Sequence, residues 1–364
     1  MTNMVSRRRV MAIAGAAVAA SCAENNRLLS SSEGGTVENP PGRWSSGIPL
    51  PRAAQEIYPC AHSGAIHLAG GFVADSGQIT GPTPEHRAFQ PGSDSWTEAV
   101  SLPTARHHPQ LVSWQGNLFS FAGFEAHSSD AIWVMQSTGF RLLGHVFPPD
   151  GPAITVEPAW VDAPELPAPC GEAVVGITGD GSLHLAGGRT PKGAANANWD
   201  DHTDTDHHFV LIDLNGEWET AAPCLSKRNS AAGDVIDGNL HVVGGRTVGG
   251  GNVVTHEVYD HSEDRWRTAA PMPNAQGGLA AAAIGQKLYV FGGEYFNNGG
   301  GVYPDSWVYD ASKDAWLRLP DMPNPRHGLG AVALDAKIYV IGGALEAGGN
   351  ETSAIVDIFD PSQI

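Results

Sequence analysis

The chain has 364 residues, of which 41% are hydrophobic and only 16% charged, with 45 Gly and 26 Pro. That composition argues against a helical bundle and suits many short strands joined by tight turns. A formal net charge of −18 argues against a nucleic-acid partner, because phosphate binding needs a basic face.

In chain order, the first informative stretch is Ser6-Arg7-Arg8-Arg9-Val10-Met11, followed by an uncharged run from Ala12 to Ser21. A basic start, a short apolar stretch and small residues at its end describe a secretory signal over residues 1–22. It is too short to be a transmembrane segment. The arginine pair set between Ser and Val-Met fits a twin-arginine export signal, so an exported, periplasmic protein is expected. Cys22 after Ala19-Ala20-Ser21 loosely matches a lipoprotein cleavage box, with Ala where Leu is usual. Residues 23–42 read as a polar linker. Cys60, Cys170 and Cys224 are then an odd set, and no disulfide framework is expected.

From residue 43 onward the chain repeats itself. Apolar, alternating segments end in six small-residue pairs: Gly70-Gly71, Ala122-Gly123, Gly187-Gly188, Gly244-Gly245, Gly292-Gly293 and Gly342-Gly343. Alternation is the period of a strand, and a Gly pair permits positive φ and close backbone approach. Trp44, Trp96, Trp160, Trp218, Trp266 and Trp316 precede these pairs by 26 residues, or 27 for Trp160. Seven residues after the Trp stands Pro51, Pro103, Pro167, Pro273 or Pro323; only Trp218 departs, with Leu225. Such a register marks one supersecondary unit used six times.

The Trp–Pro–Gly-Gly pattern resembles the kelch repeat over residues 43–362. The resemblance implies an all-β, six-bladed β-propeller with four strands per blade and the six tryptophans as core between blades. The last repeat, 354–360, matches the strand that precedes each Trp, whereas Trp44 has no such strand before it. Pairing 43–48 with 354–360 closes the ring. In the second repeat 131–135 reads as the third strand. The fourth is either 140–143 or the Trp160 segment, and the register favours Trp160.

In an antiparallel blade, residues just after the Pro and just after the Gly pair emerge at the same end. That face receives Arg106-His107, Arg228-Asn229 and Arg326-His327 after the Pro, with Glu172 at a neighbouring place. Arg189, Arg246 and Glu294 follow Gly pairs. Five arginines on one face suggest an anion clamp, because guanidinium binds carboxylate bidentately and keeps its charge. By alternation His108 should point away from the axis. The long loop from Arg189 to His207 carries Asp and His at alternating spacing; it reads as a polar loop or lid, and no metal site is assigned to it. No cofactor is expected.

Two functions compete. One is a binding module that captures a small anionic or carbohydrate ligand, or an acidic peptide or protein partner. The other is an enzyme, because a single six-bladed kelch domain behind an export signal is similar to the N-acetylneuraminate epimerase (sialic-acid mutarotase) family. That resemblance implies a Glu acid/base, here Glu294, with Arg246 or Arg326 near the substrate carboxylate. The copper oxidases of the galactose oxidase type share the repeat, but they need further domains and a Cys–Tyr crosslink, and Cys170 has no matching Tyr. No Ser/His/Asp triad with a nucleophile turn is present.

Overall fold

The computed structural model describes residues 42–144 and 157–362. The expected export signal over residues 1–22, with Cys22, and nearly all of the expected linker therefore lie outside the described residues.

The repeats fold into six four-stranded antiparallel sheets. From the inside outward, blade 1 holds Cys60–His62, Ala65–Ala69, His86–Phe89 and Thr97–Ala99, and blade 2 holds Gln110–Trp114, Asn117–Phe121, Gly139–Leu143 and Ala159–Ala163. Blade 3 holds Val174–Ile177, Leu183–Ala186, His208–Leu211 and Glu219–Thr220. Blade 4 holds Ala232–Ile236, Asn239–Val243, His256–Asp260 and Arg265–Thr268. Blade 5 holds Ala280–Ile284, Lys287–Phe291, Ser306–Asp310 and Ala315–Arg318. In blade 6, Gly330–Leu334, Lys337–Ile341 and Val356–Asp360 are completed by Arg43–Ser46, with Trp44 opposite Phe359. The inner strands neighbour one another in a closed cycle, blade 6 touching blade 1. This is a β-propeller, closed by its two ends as the sequence implied.

Each second strand lies between two blades and is buried on both faces, which is why Leu288 to Phe291 reads as an unbroken apolar run. Six apolar clusters fill the six seams; at the closing seam Phe291, Leu319 and Ile338 pack with Phe359 and Trp44. The tryptophans rivet these seams. Each indole N–H donates to the carbonyl four residues beyond the Trp of the preceding blade: Trp96 to Ile48, Trp160 to Val100, Trp218 to Pro164, Trp266 to Ala222, Trp316 to Ala270 and Trp44 to Pro320. All six bonds fall between 2.8 and 3.1 Å. A buried indole donor needs such a partner.

One strand assignment is corrected. The third strand of blade 2 is Gly139–Leu143, not 131–135; Val134–Met135 instead pairs with Phe124–Glu125 in a small sheet on the loop face. The Trp160 segment is the fourth strand, as the register required.

The segments after Pro and after the Gly pairs meet on one face. Arg106–His107 pairs with Phe124–Glu125, and single bridges join Gly171 to Arg189, Asn229 to Arg246, Gly277 to Glu294 and His327 to Ala344. Between the six inner strands runs an axial channel of about 390 Å³.

Candidate functional site

Twelve residues after each Trp the chain reaches the axis in the left-handed conformation: Glu56, His108, Glu172, Ser230, Gly278 and Gly328 have φ of 55°, 55°, 56°, 49°, 69° and 57°. They form a ring that closes the loop end of the channel. Backbone N–H groups pass around it, from His108 to Glu56 O (3.0 Å), Glu56 to Gly328 O (2.6 Å), Gly328 to Gly278 O (2.9 Å) and Gly278 to Ser230 O (2.9 Å). The hydroxyl of Ser230 donates to Glu172 Oε2 and so carries the ring onward. Glycine at 328 answers a second demand besides φ, since a Cβ there would lie 2.8 Å from Glu56 Oε1.

The ring gathers charge. His108 Nε2 is 2.8 Å from Glu56 Oε2. His107 Nε2–H donates to Ile132 O (2.9 Å), which leaves its Nδ1 to accept from His108 Nδ1–H at 2.7 Å. This hydrogen-bond pattern assigns a charged His108 and a neutral His107. Burial alone would raise the Glu56 carboxyl, but His108, with His327 and Arg246 beyond it, holds it at about 2. Burial would lower His108, yet Glu56 outweighs it and the ring is raised. His107 is pushed well down by burial and by the neighbouring His108.

A second charged group sits over blades 4 to 6. Arg246 Nη1 donates to Glu294 Oε1 at 2.6 Å, and its Nη2 donates to Ser230 Oγ at 3.1 Å. Glu294 Oε2 accepts the N–H of Gly348 at 2.9 Å. His327 Nε2–H donates to Glu346 O, and its Nδ1 lies 3.5 Å from Glu294 Oε1 and 4.0 Å from Glu56 Oε1. His327 Nδ1, Arg246 Nε and Glu172 Oε1 are buried without a hydrogen-bond partner. The reachable charges are Arg246 and Glu56, whose side chains are 17% and 19% exposed. Phe296 stands beside them, 62% exposed, with the Arg246 guanidinium carbon 5.6 Å from its ring centre.

The five-arginine clamp is not what the structure builds. Arg106, Arg228 and Arg326 turn into their own blades and pair with Glu125 (2.8 Å), Glu257 (2.8 Å) and Asp357 (2.7 Å). They also donate to carbonyls at the end of the second strand, Ala122, Val242 and Val340. Gln276 takes the same place in blade 5 and donates to Gly292 O. Arg189 is buried under Trp199, whose ring centre is 3.3 Å from its guanidinium carbon. Of the five, Arg246 alone joins the axial cluster through an ion pair.

The remaining sequence candidates divide. Glu294, Glu172 and His327 belong to the cluster. Asn229 borders it, with its Nδ2 donating to Asp204 Oδ1 at 2.5 Å. His107 is stacked between Phe72 and Phe124, ring centres 3.9 and 4.9 Å away. His108, expected to point away, is a member of the ring. Alternation assumes extended backbone, and its left-handed φ breaks that rule. Glu56 and Ser230 were missed, although they stand in the same column of the repeat.

The long loop folds as a hairpin, Arg189–Pro191 against His202–Asp204, capped by a short turn at Trp199–Asp201 that packs on Trp133. Among the described residues no three His, Cys, Asp or Glu side chains are grouped to hold a metal ion. Among the same residues no helix is long and apolar enough to cross a membrane.

Comparison with known proteins points to one repeat. The kelch motif family matches residues 227–273 and 277–323, two successive units in the Trp register. The chain is 28% identical over 222 residues to Kelch-like protein terF of Aspergillus terreus, covering 59% of this chain and 45% of that protein. It is 31% identical over 197 residues to Kelch-like protein 35 of Mus musculus, covering 53% of this chain and 27% of that protein. The chain thus spans less than half the length of both curated relatives. The solved structure of YjhT superposes with a TM-score of 0.66 over 84% of this chain and 95% of that one, at 14% identity. At that identity the likeness is one of fold.

Proposed function

Because the chain is a kelch-repeat β-propeller, a fold that leaves function to its loops, we propose that it is a binding module for a small polar ligand carrying a carboxylate. The sugar acids are the favoured class, and an acidic peptide is the other candidate. The observation that carries this reading is the meeting of Arg246, Glu294, His327 and Glu56 at the axis, with Arg246 Nε and His327 Nδ1 unpaired. Unpaired polar atoms at a buried site are what a polar ligand satisfies. Arg246 offers the charge for a carboxylate, the Glu and His atoms suit hydroxyls, and Phe296 offers a flat apolar face for a sugar ring.

The test is calorimetric titration with N-acetylneuraminate, glucuronate, glucose and an Asp/Glu-rich hexapeptide. Saturable binding of an acid, weakened about tenfold or more in Arg246→Gln and less for the neutral sugar, is expected. No saturable binding by any of the four, or equal affinity in Arg246→Gln, sinks the reading.

A second reading, a sugar-acid mutarotase, draws on the 3.5 Å approach of His327 Nδ1 to Glu294 Oε1, a path for exchanging a proton beside the ligand. Glu294 already accepts bonds from Arg246 and Gly348, so it would serve as the base with His327 holding the proton. Here Glu294→Gln should abolish anomer interconversion followed by NMR; an unchanged rate removes the enzyme. We also read the chain as exported to the periplasm on the strength of residues 1–22, which a reporter fusion to that segment tests.

A further inference from the structure

The axial channel opens away from the charged ring and shares none of its chemistry. Among the residues that line it there is no Lys, Arg or His. Its walls are the inner strands of six blades, lined mostly by Ala, Gly and Val, and Tyr58 lines it on the side towards the ring. Its volume, about 390 Å³, falls within the range of ligand pockets, roughly 300–1,000 Å³.

One carboxylate breaks this uncharged wall. Asp234 stands sixteen residues after its Trp, where the other five repeats have Cys60, Val112, Gly176, Ala282 and Val332. Its Oδ1 accepts the N–H of Val235 at 2.7 Å, and its Oδ2 accepts the N–H of Ala283, on the inner strand of the next blade, at 2.7 Å. Those two amides orient the carboxylate but bring no compensating charge. Burial pushes its carboxyl above the ordinary range in spite of both bonds. None of its charged neighbours is a cation: the ion pairs of the described residues do not include Asp234, and no basic residue shares the channel. Asp234 is partly buried, and a carboxylate drawn even part-way out of water ordinarily has a counter-ion. Gln110, on the inner strand of blade 2, also lines the channel, and its Nε2 is buried and has no hydrogen-bond partner.

We infer that the axial channel is a second ligand site, separate from the loop-face cluster, that takes a small amino alcohol with its ammonium group on Asp234 and its hydroxyl accepting from the amide of Gln110. The alkyl body of such a molecule lies along the Ala and Val wall. The site selects by charge in the opposite sense to the loop face, so an anion that binds Arg246 is excluded from the channel.

The probe is 4-amino-1-butanol, compared with its neutral analogue 1,4-butanediol and its anionic analogue 4-hydroxybutyrate, each titrated into the full chain by calorimetry and ligand-observed NMR. The amine should bind saturably, the diol at least about tenfold more weakly, and the anion not at all. Asp234→Asn, which keeps the shape of the side chain, should lower the affinity for the amine about tenfold or more. Ala61→Leu fills the channel without touching Asp234 and should also remove binding, so the assignment stays testable if Asp234→Asn folds poorly. The absence of saturable amine binding, equal affinity for amine and diol, or unchanged affinity in Ala61→Leu overturns the inference.

Discussion

The indole N–H of Trp44 donates to the carbonyl of Pro320 at 3.1 Å, across 276 residues of chain. It is the sixth copy of a bond that every other seam makes between consecutive repeats, and here it joins the first repeat to the last. Trp44→Phe keeps a ring against Phe291 and Phe359 but leaves Pro320 O without its donor, at a cost of about 1–2 kcal/mol. Deleting residues 42–47 should cost far more, because it also strips the outer strand from Val356–Asp360 and bares an edge. Urea denaturation of the two variants measures both. If the deletion proves no worse than loss of an ordinary terminus, the ring is not held by this closure.

Arg326 and Arg246 make opposite predictions. Arg326 is fully buried with Asp357, so Arg326→Leu leaves that carboxylate unpaired and should cost about 3–5 kcal/mol. Ligand affinity of the folded fraction should be unchanged. Arg246→Gln still offers Glu294 and Ser230 a hydrogen-bonding partner; it should cost less stability and lose the ligand. Thermal denaturation beside calorimetry separates the two, and equal loss of binding in both variants would return Arg326 to the site.

Histidine pairs make the seams sensitive to acid. His184 Nδ1 meets His208 Nε2, and His241 Nδ1 meets His256 Nε2, each at 2.9 Å and buried. Burial holds His184 and His208 at about 4, and His241 and His256 at about 3 and about 4. Unfolded, all four titrate near 6.5. Between these values the unfolded chain binds more protons, so stability is complete above about pH 6.5 and falls as the pH drops towards 4. The loss should reach on the order of 3 kcal/mol for each histidine by about pH 4. Urea midpoints at pH 7.5 and 5.0 measure it, and His241→Gln should make the pH dependence shallower.

Ala122 sits at φ 60°, buried, where the other five repeats have Gly. A side chain in the left-handed region costs about 1 kcal/mol, so Ala122→Gly should raise the thermal midpoint by a few degrees. A lower midpoint would mean that the methyl group packs better than its backbone suggests.

How much of this was legible in the sequence depends on the range of the interaction. The Trp–Pro–Gly-Gly register was enough for the blades, for all but the third strand of blade 2, for the face shared by two sets of loops and for the closing pairing of 43–48 with 354–360. Each of these follows from periodicity and from local φ preferences, which neighbouring residues settle among themselves. The direction of a long or hinged side chain is different in kind. Arg106, Arg228 and Arg326 stand in the right column for the axis, yet distant carboxylates and strand-end carbonyls draw them into the blades. Arg246 finds its acid, Glu294, on the next blade and stays. His108 faces the ring because its backbone turns left-handed where Glu56 and Gly328 close on it, a constraint that exists only once six blades meet. Asp234 is the odd residue of its column, but only the ring of inner strands makes it the one charge among the described residues that line the channel. The repeat alone determined the frame; the convergence of six loops on one axis decided which residues share the site.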